Sequence, residues 1–227
     1  MTLVAGADVA KGRWVVVVLG DGRFKRAFVA EHLIHLRQRL GPVSILAMDI
    51  PIGLPLGGSD WPRAADLEAR HFIGPRRSSV FSTPPRSVFD VSSYAKANQL
   101  HRELTGKGLS RQSWGLRDRI LEAEFFVSEN PETVEVHPEV CFRAMRGSFL
   151  PCPKKSWNGQ MERRSLLQSQ GIELPDQLED AGTVPPDDLL DAAAAAWTAW
   201  RVVRGKAEVL PESAMGCDIN KRGVIWF

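Results

Sequence analysis

The sequence predicts an α/β fold: a three-stranded antiparallel meander joined to parallel strands in one mixed sheet, flanked by helices and carrying a helical and loop insertion. Three observations lead there. Residues 2–8, 13–19 and 23–30 are apolar or alternating runs separated by AKG and GDG turns, the pattern of a meander. The run SILAMD at 44–49 is wholly apolar up to Asp49, as expected of a central parallel strand buried on both faces. Residues 185–205, PPDDLLDAAAAAWTAWRVVRG, form one long helix between a Pro-Pro stop and Gly205.

Along the chain, the meander is followed by a helix over 31–40, with Leu33, Leu36 and Leu40 on one face and Gly41-Pro42 ending it. The crossover it supplies brings the strand at 44–49 into the sheet, giving the order βββαβ. Residues 56–110 are rich in Gly, Pro, Ser and Arg and form the insertion, with helices expected over 62–72 and 92–104. An amphipathic helix comes next at 114–128, with Leu116, Ile120 and Leu121 among its apolar positions. TVEVHPE at 133–139 alternates like a strand, a short helix covers 139–146, and another covers 160–170 and ends at Gly171. In the last helix Asp187 is placed to cap the N-terminus, and Trp197 and Trp200 belong to the core. The whole chain, 1–227, is expected to be a single domain.

Composition narrows the function classes. A net charge of +2, from 29 basic and 27 acidic residues, does not by itself announce a nucleic-acid binder. Cys141, Cys152 and Cys217 have neither a CxxC spacing nor a paired histidine motif, which argues against a disulfide framework or structural zinc and fits a reducing cytoplasm. With no secretion signal visible and no 18-residue apolar run, no membrane association is expected.

The acids carry the chemistry. Asp188 and Asp191 are three residues apart and so share a helix face, where the partial positive charge of the helix N-terminus eases two carboxylates together. The five alanines after them let the helix approach a sheet closely. Asp8 ends the first strand and Asp49 the fourth. If those strands are neighbours, four carboxylates converge, and such a group needs a cation, Mg²⁺ or Mn²⁺ with oxygen-only ligands. Two such ions about 4 Å apart are the usual clamp for attack of water on a phosphodiester. Each acid alone is equally at home as a cap or turn-maker. Arg70, Arg76 and Arg77, with Ser78 and Ser79, suit phosphates, and Trp61, Phe72 or Phe81 suit unpaired bases. Lys154, Lys155, Arg163 and Arg164 offer a second cationic cluster. Both clusters also have a plain reading as solvated or ion-paired surface.

The element order, with Asp8 in strand one, Asp49 at the tip of strand four and D-x-x-D opening the last helix, resembles the RNase H-like nuclease superfamily. Within it the similarity is to RuvC-type Holliday-junction resolvases, whose final helix carries a D-x-x-D-A pattern. More narrowly, GADVAKGRW, MDIPIGLP, GPRRSSVF, VEVHPEV and DDLLDAAAAAWTA, in that order along nearly the whole chain, resemble the predicted-nuclease family catalogued as domain of unknown function 429. The resemblance implies that Asp8 and Asp49 are the first two metal acids and that Asp188 and Asp191 are those of the last helix. RuvC-like enzymes generally have Glu where this chain has Asp49, a shorter reach that Glu135 could offset. Glu135 is the family-specific acid and the fifth candidate. His137 and Glu139 would orient ligands, serve as a base or simply bond locally, with Lys155 among the substrate contacts. The resemblance thus implies a metal-dependent nuclease acting on nucleic acid or nucleotide, with Arg76 or Arg77 neutralising developing charge. A homodimer suits a junction resolvase, although no segment declares an interface. Two rivals share the fold relationship. An actin-like nucleotide phosphohydrolase would usually repeat the fold twice, and no second copy is present; separately, the lack of a GxxxxGK[ST] motif argues against a P-loop enzyme. A non-catalytic binding module on a degenerate nuclease fold would have nearly the same sequence.

Overall fold

Two tight turns, Lys11-Gly12 and Asp21-Gly22, have both residues in left-handed backbone, the geometry that matches the twist of a hairpin. They fold β1 (Leu3–Ala10), β2 (Arg13–Gly20) and β3 (Arg23–Ala30) into the expected meander. The computed structural model describes residues 1–227. Helix α1 (Leu33–Leu40) crosses over to β4 (Ile45–Met48), which pairs in parallel with β1. The N-cap of α1, His32, offers no side-chain bond, so Glu122 accepts the Leu33 N–H at 2.6 Å and the Trp14 indole N–H at 3.1 Å.

Between β4 and β5 the chain forms α2 (Ala64–Ile73), a 3₁₀ turn over Gly74–Ser79, α3 (Tyr94–Thr105), α4 (Arg111–Gly115) and α5 (Arg117–Glu129). The helix expected over 114–128 is two helices meeting at Leu116. β5 (Thr133–Glu135) completes a five-stranded sheet of order β3-β2-β1-β4-β5, parallel to β4. It stops short of the predicted 133–139 because Pro138, which has no N–H for a ladder, opens α6 (Pro138–Arg146). Helices α7 (Trp157–Ser169) and α8 (Pro186–Val203) come after it. Pro185 is the N-cap of α8 and no side chain caps it, so Asp187 lies inside the first turn of the helix, buried, rather than capping it. The sequence did not announce the small sheet of β6 (Val209–Leu210) and β7 (Ile225–Trp226), which adds a bridge from Trp226 to Val136 at the outer edge of the main sheet.

The five-stranded mixed sheet flanked by helices is consistent with an RNase H-like arrangement. Strand alternation sorts the core. Val4, Ala10, Ile45, Ala47 and Val134 face the layer containing α8, whereas Ala5, Ala7, Leu46 and Met48 face α1 and α5. The alanine helix lies directly on β1. A Cβ added at Gly6 would sit 2.1 Å from the Ala196 nitrogen and 2.2 Å from the Ala192 oxygen, so two backbones meet with no side chain between them.

Candidate metal-binding cleft

The register sets the acids in place. Ala7 lies opposite Met48, and the Asp49 N–H continues the ladder to the Ala7 carbonyl at 2.9 Å. Asp8 and Asp49 therefore stand side by side at the carboxyl ends of two parallel strands, and by alternation both face α8. Because α8 rests on Gly6, its first turns reach the same edge. Asp8, Asp49 and Asp191 each place a carboxylate oxygen within 4.8 Å of the other two. Asp188 joins them as a half-buried wall of the same cleft, which has a volume of about 430 Å³.

Burial and mutual repulsion both act against charge on the carboxylates at this edge. Burial, with Asp49 and Asp191 adding repulsion, holds the Asp8 carboxyl well above the usual carboxylate range. Burial pushes Asp49 and Asp191 up to about 7, although Lys154 pulls both down. Asp188 is raised by burial and by Asp187. The Lys154 ammonium donates to Asp191 Oδ2 at 2.5 Å and stands 4.0 Å from Asp187. Burial works against its charge, but Asp191, Asp8 and Asp49 outweigh burial and keep it protonated. The other Asp191 oxygen, Oδ1, is buried and has no protein partner. An oxygen-only donor set with an orphaned buried acceptor fits a hard divalent cation.

Other predicted residues are placed differently. Glu135 lines the cleft but is opposite Met48, not Asp49, which puts it on the other parity of the sheet. Its oxygens accept from Arg63 at 2.7 and 2.9 Å and from the Ile52 N–H at 2.6 Å. The Arg63 guanidinium is fully engaged, since it also bonds Asp66, whose other oxygen takes the Thr83 N–H at 2.7 Å. Burial raises the Glu135 carboxyl and Arg63 opposes it. Glu135, the fifth candidate acid, is therefore held by Arg63 and the Ile52 N–H and stands outside the group of three aspartates, where it anchors α2 to β5. His137 lines the cleft, with Nε2 3.5 Å from the Ser79 carbonyl and Nδ1 buried without a partner. Burial lowers its pKa, against the pull of Glu139, so the ring is neutral at pH 7. Ser79 is on the wall, its hydroxyl turned to the Arg76 carbonyl at 2.9 Å.

Arg76 and Arg77 do not line the cleft. The Arg76 Nε donates to the Leu150 carbonyl at 3.4 Å, and Arg77 is exposed. Arg70 lines a neighbouring cavity, and Lys155 is exposed but close enough to Asp188 to lower its pKa. Of the cationic group 154–164, Arg163 is no surface residue: it is fully buried and donates to Glu139 at 2.6 Å. Sequence reasoning missed Lys154 as the acids' partner and Arg63 as the clamp. Both roles arise from tertiary packing, since nothing local to either residue marks it.

A mixed α/β sheet with three aspartates from two parallel strands and a closely packed helix defines a protein built around a carboxylate site at its sheet edge. The model of the family described as "Protein of unknown function (DUF429)" matches residues 6–215, and the chain belongs to that family. No curated protein and no solved structure matches the chain. No helix is long and apolar enough to cross a membrane.

Proposed function

We propose that the protein is a divalent-metal-dependent phosphodiesterase acting on nucleic acid. The observation that carries this reading is the meeting of Asp8, Asp49 and Asp191 oxygens within 4.8 Å at a recessed sheet edge, with the Lys154 ammonium beside them. Mg²⁺ or Mn²⁺ held there would supply a Lewis acid for a phosphoryl oxygen and lower the pKa of water enough for attack at neutral pH.

The chain's own residues would do the rest. Asp8, Asp49 and Asp191 hold the cation, and half-buried Asp188, one helical turn before Asp191, is the added ligand a second ion would need. Lys154 takes the charge-neutralising role expected of Arg76 or Arg77, because its ammonium lies in the cleft and their guanidiniums do not. Neutral His137, with a ring nitrogen unpaired, is placed to accept or donate a hydrogen bond to substrate without adding charge. Arg63, Glu135 and Asp66 position the floor and touch no metal.

The test is Mn²⁺ calorimetry on wild type, Asp8→Asn and Asp191→Asn, paired with hydrolysis assays on single-stranded, duplex and branched DNA and RNA. Metal binding lost in both variants, together with a fall in cleavage of at least about 100-fold, is the expected outcome. Wild type that binds no Mn²⁺ even with oligonucleotide present, or Asp8→Asn with full activity, overturns the proposal.

A further inference from the structure

Beside the acid cleft lies a second cavity of about 360 Å³. Val80, Phe81 and Gln112 are walls of both, so a chain whose phosphodiester rests on the aspartates has its neighbouring unit at this opening. The lining differs from the cleft in sign. Arg70 and Lys107 contribute two cationic side chains that no carboxylate pairs, and no acid lines the cavity.

Its back wall is aromatic and incompletely satisfied. Trp61 meets the His101 ring edge to face, with centroids 5.2 Å apart and planes at 88°. The Trp61 Nε1 is buried and has no hydrogen-bond partner. His101, 2% exposed, uses Nδ1 on the Lys107 carbonyl at 2.7 Å and leaves Nε2 without a protein partner. A buried N–H left unpaired is costly, so the Trp61 indole on the wall of a cationic cavity calls for a ligand with an acceptor and a flat face, while the His101 Nε2, an acceptor because Nδ1 donates to the Lys107 carbonyl, suits a donor such as the amino group of a base.

We propose that this cavity is a nucleotide subsite: it takes the unpaired nucleotide adjoining the scissile bond, its heterocycle against Trp61 and Phe81 and its phosphate on Arg70 and Lys107. Aromatic faces and unpaired cations are the means by which single strands are held without regard to sequence. A base stacked and paired inside a duplex does not enter such a recess, so the strand must be single or locally unpaired. The assignment of the neighbouring bond as the one cut rests on the phosphodiesterase reading, but occupancy of the cavity needs no metal and no cleavage.

Calorimetric titration with deoxyadenosine monophosphate in EDTA, on the full chain, separates the two. Wild type is expected to bind it, Arg70→Ala and Lys107→Ala each to bind about tenfold more weakly, and unphosphorylated deoxyadenosine more weakly still than the monophosphate. Both variants alter side chains without protein partners, and circular dichroism checks that they fold. Absence of mononucleotide binding in wild type overturns the subsite, as does binding that neither variant weakens. Inorganic phosphate binding as tightly as the mononucleotide overturns it too, since the aromatic wall would then contribute nothing. Mononucleotide binding that persists in a protein with no metal affinity leaves the subsite standing and removes only the phosphodiesterase reading.

Discussion

Asp49 and Asp191 titrate near 7 because they are buried together with Asp8, and this fixes the sign of a pH effect. In the unfolded chain the same carboxyls titrate at about 3.9. Between those limits the folded protein binds more protons than the unfolded one, so without metal its stability falls as pH rises from about 4 to about 7 and then levels off. The cost at neutral pH is charge held in a desolvated cluster, which a divalent cation bound there would offset and which protonation relieves. Thermal melts in EDTA should therefore show the melting temperature dropping on going from pH 5.5 to pH 7.5, by roughly the few degrees that 1–2 kcal/mol represents in a chain of this size. Saturating Mn²⁺ should stabilise most at the upper end of that range, and Asp191→Asn should flatten the EDTA profile. A metal-free protein whose stability instead rises across the window would show that the carboxyls are not strained by one another.

At the scale of elements, the site depends on how close α8 comes to β1. The alanine run and the two acids before it are legible in the sequence because composition and spacing are local properties. Asp8 and Asp49 are legible because each ends a run whose strand character can be read directly. Gly6 is not, although it is the other half of the contact: its missing Cβ admits the Ala192 and Ala196 backbone. Glu135 stands apart from the three aspartates for a different reason. Register decides parity, and β5 pairs with Glu135 opposite Met48, a fact no alternation within TVEVHPE contains. Lys154 and Arg63 escape because a long cationic side chain can lie on the surface or be drawn inward, and only the assembled fold decides which. Gly6→Ala measures the contact. Its methyl would lie within 2.2 Å of two backbone atoms that have no flexible end to move, so α8 must shift. Urea denaturation should show a loss of about 3 kcal/mol or more, at the upper end of overpacking costs. Mn²⁺ affinity should fall with it, because the shift carries Asp191 away from Asp8. A stable Gly6→Ala protein with wild-type metal affinity would show that the acids do not need this close approach.

Across the whole molecule, residues distant in sequence close the cleft from its far side. The C-terminal tail holds both the segment after Asp49 and β5: the Gly223 N–H donates to the Ile52 carbonyl at 2.9 Å, and Arg222 donates to the Thr133 carbonyl, at the start of β5, at 2.8 Å. Ile225, from β7, is buried and forms part of the cleft wall, while Trp226 bridges to Val136 beside β5. The family match ends at residue 215, so this strap of 216–227 lies beyond it. The Asp49 loop is thus gripped on one side by Arg63, through Glu135 and the Ile52 N–H, and on the other by the tail. Deleting 216–227 removes buried Val224, Ile225 and Phe227, so a large drop in melting temperature is expected from lost packing alone. The sharper comparison is Arg222→Ala, which removes the bond to the Thr133 carbonyl without opening the core. It should weaken Mn²⁺ binding a few-fold at little cost in stability, because a strap released from β5 holds Ile52 less firmly through the adjoining Gly223 N–H and leaves Asp49 less well placed against Asp8 and Asp191. If calorimetry shows wild-type Mn²⁺ affinity in Arg222→Ala and also in a truncated chain that keeps its circular dichroism, then Asp49 is positioned by the β1–β4 ladder alone and the strap serves only the core.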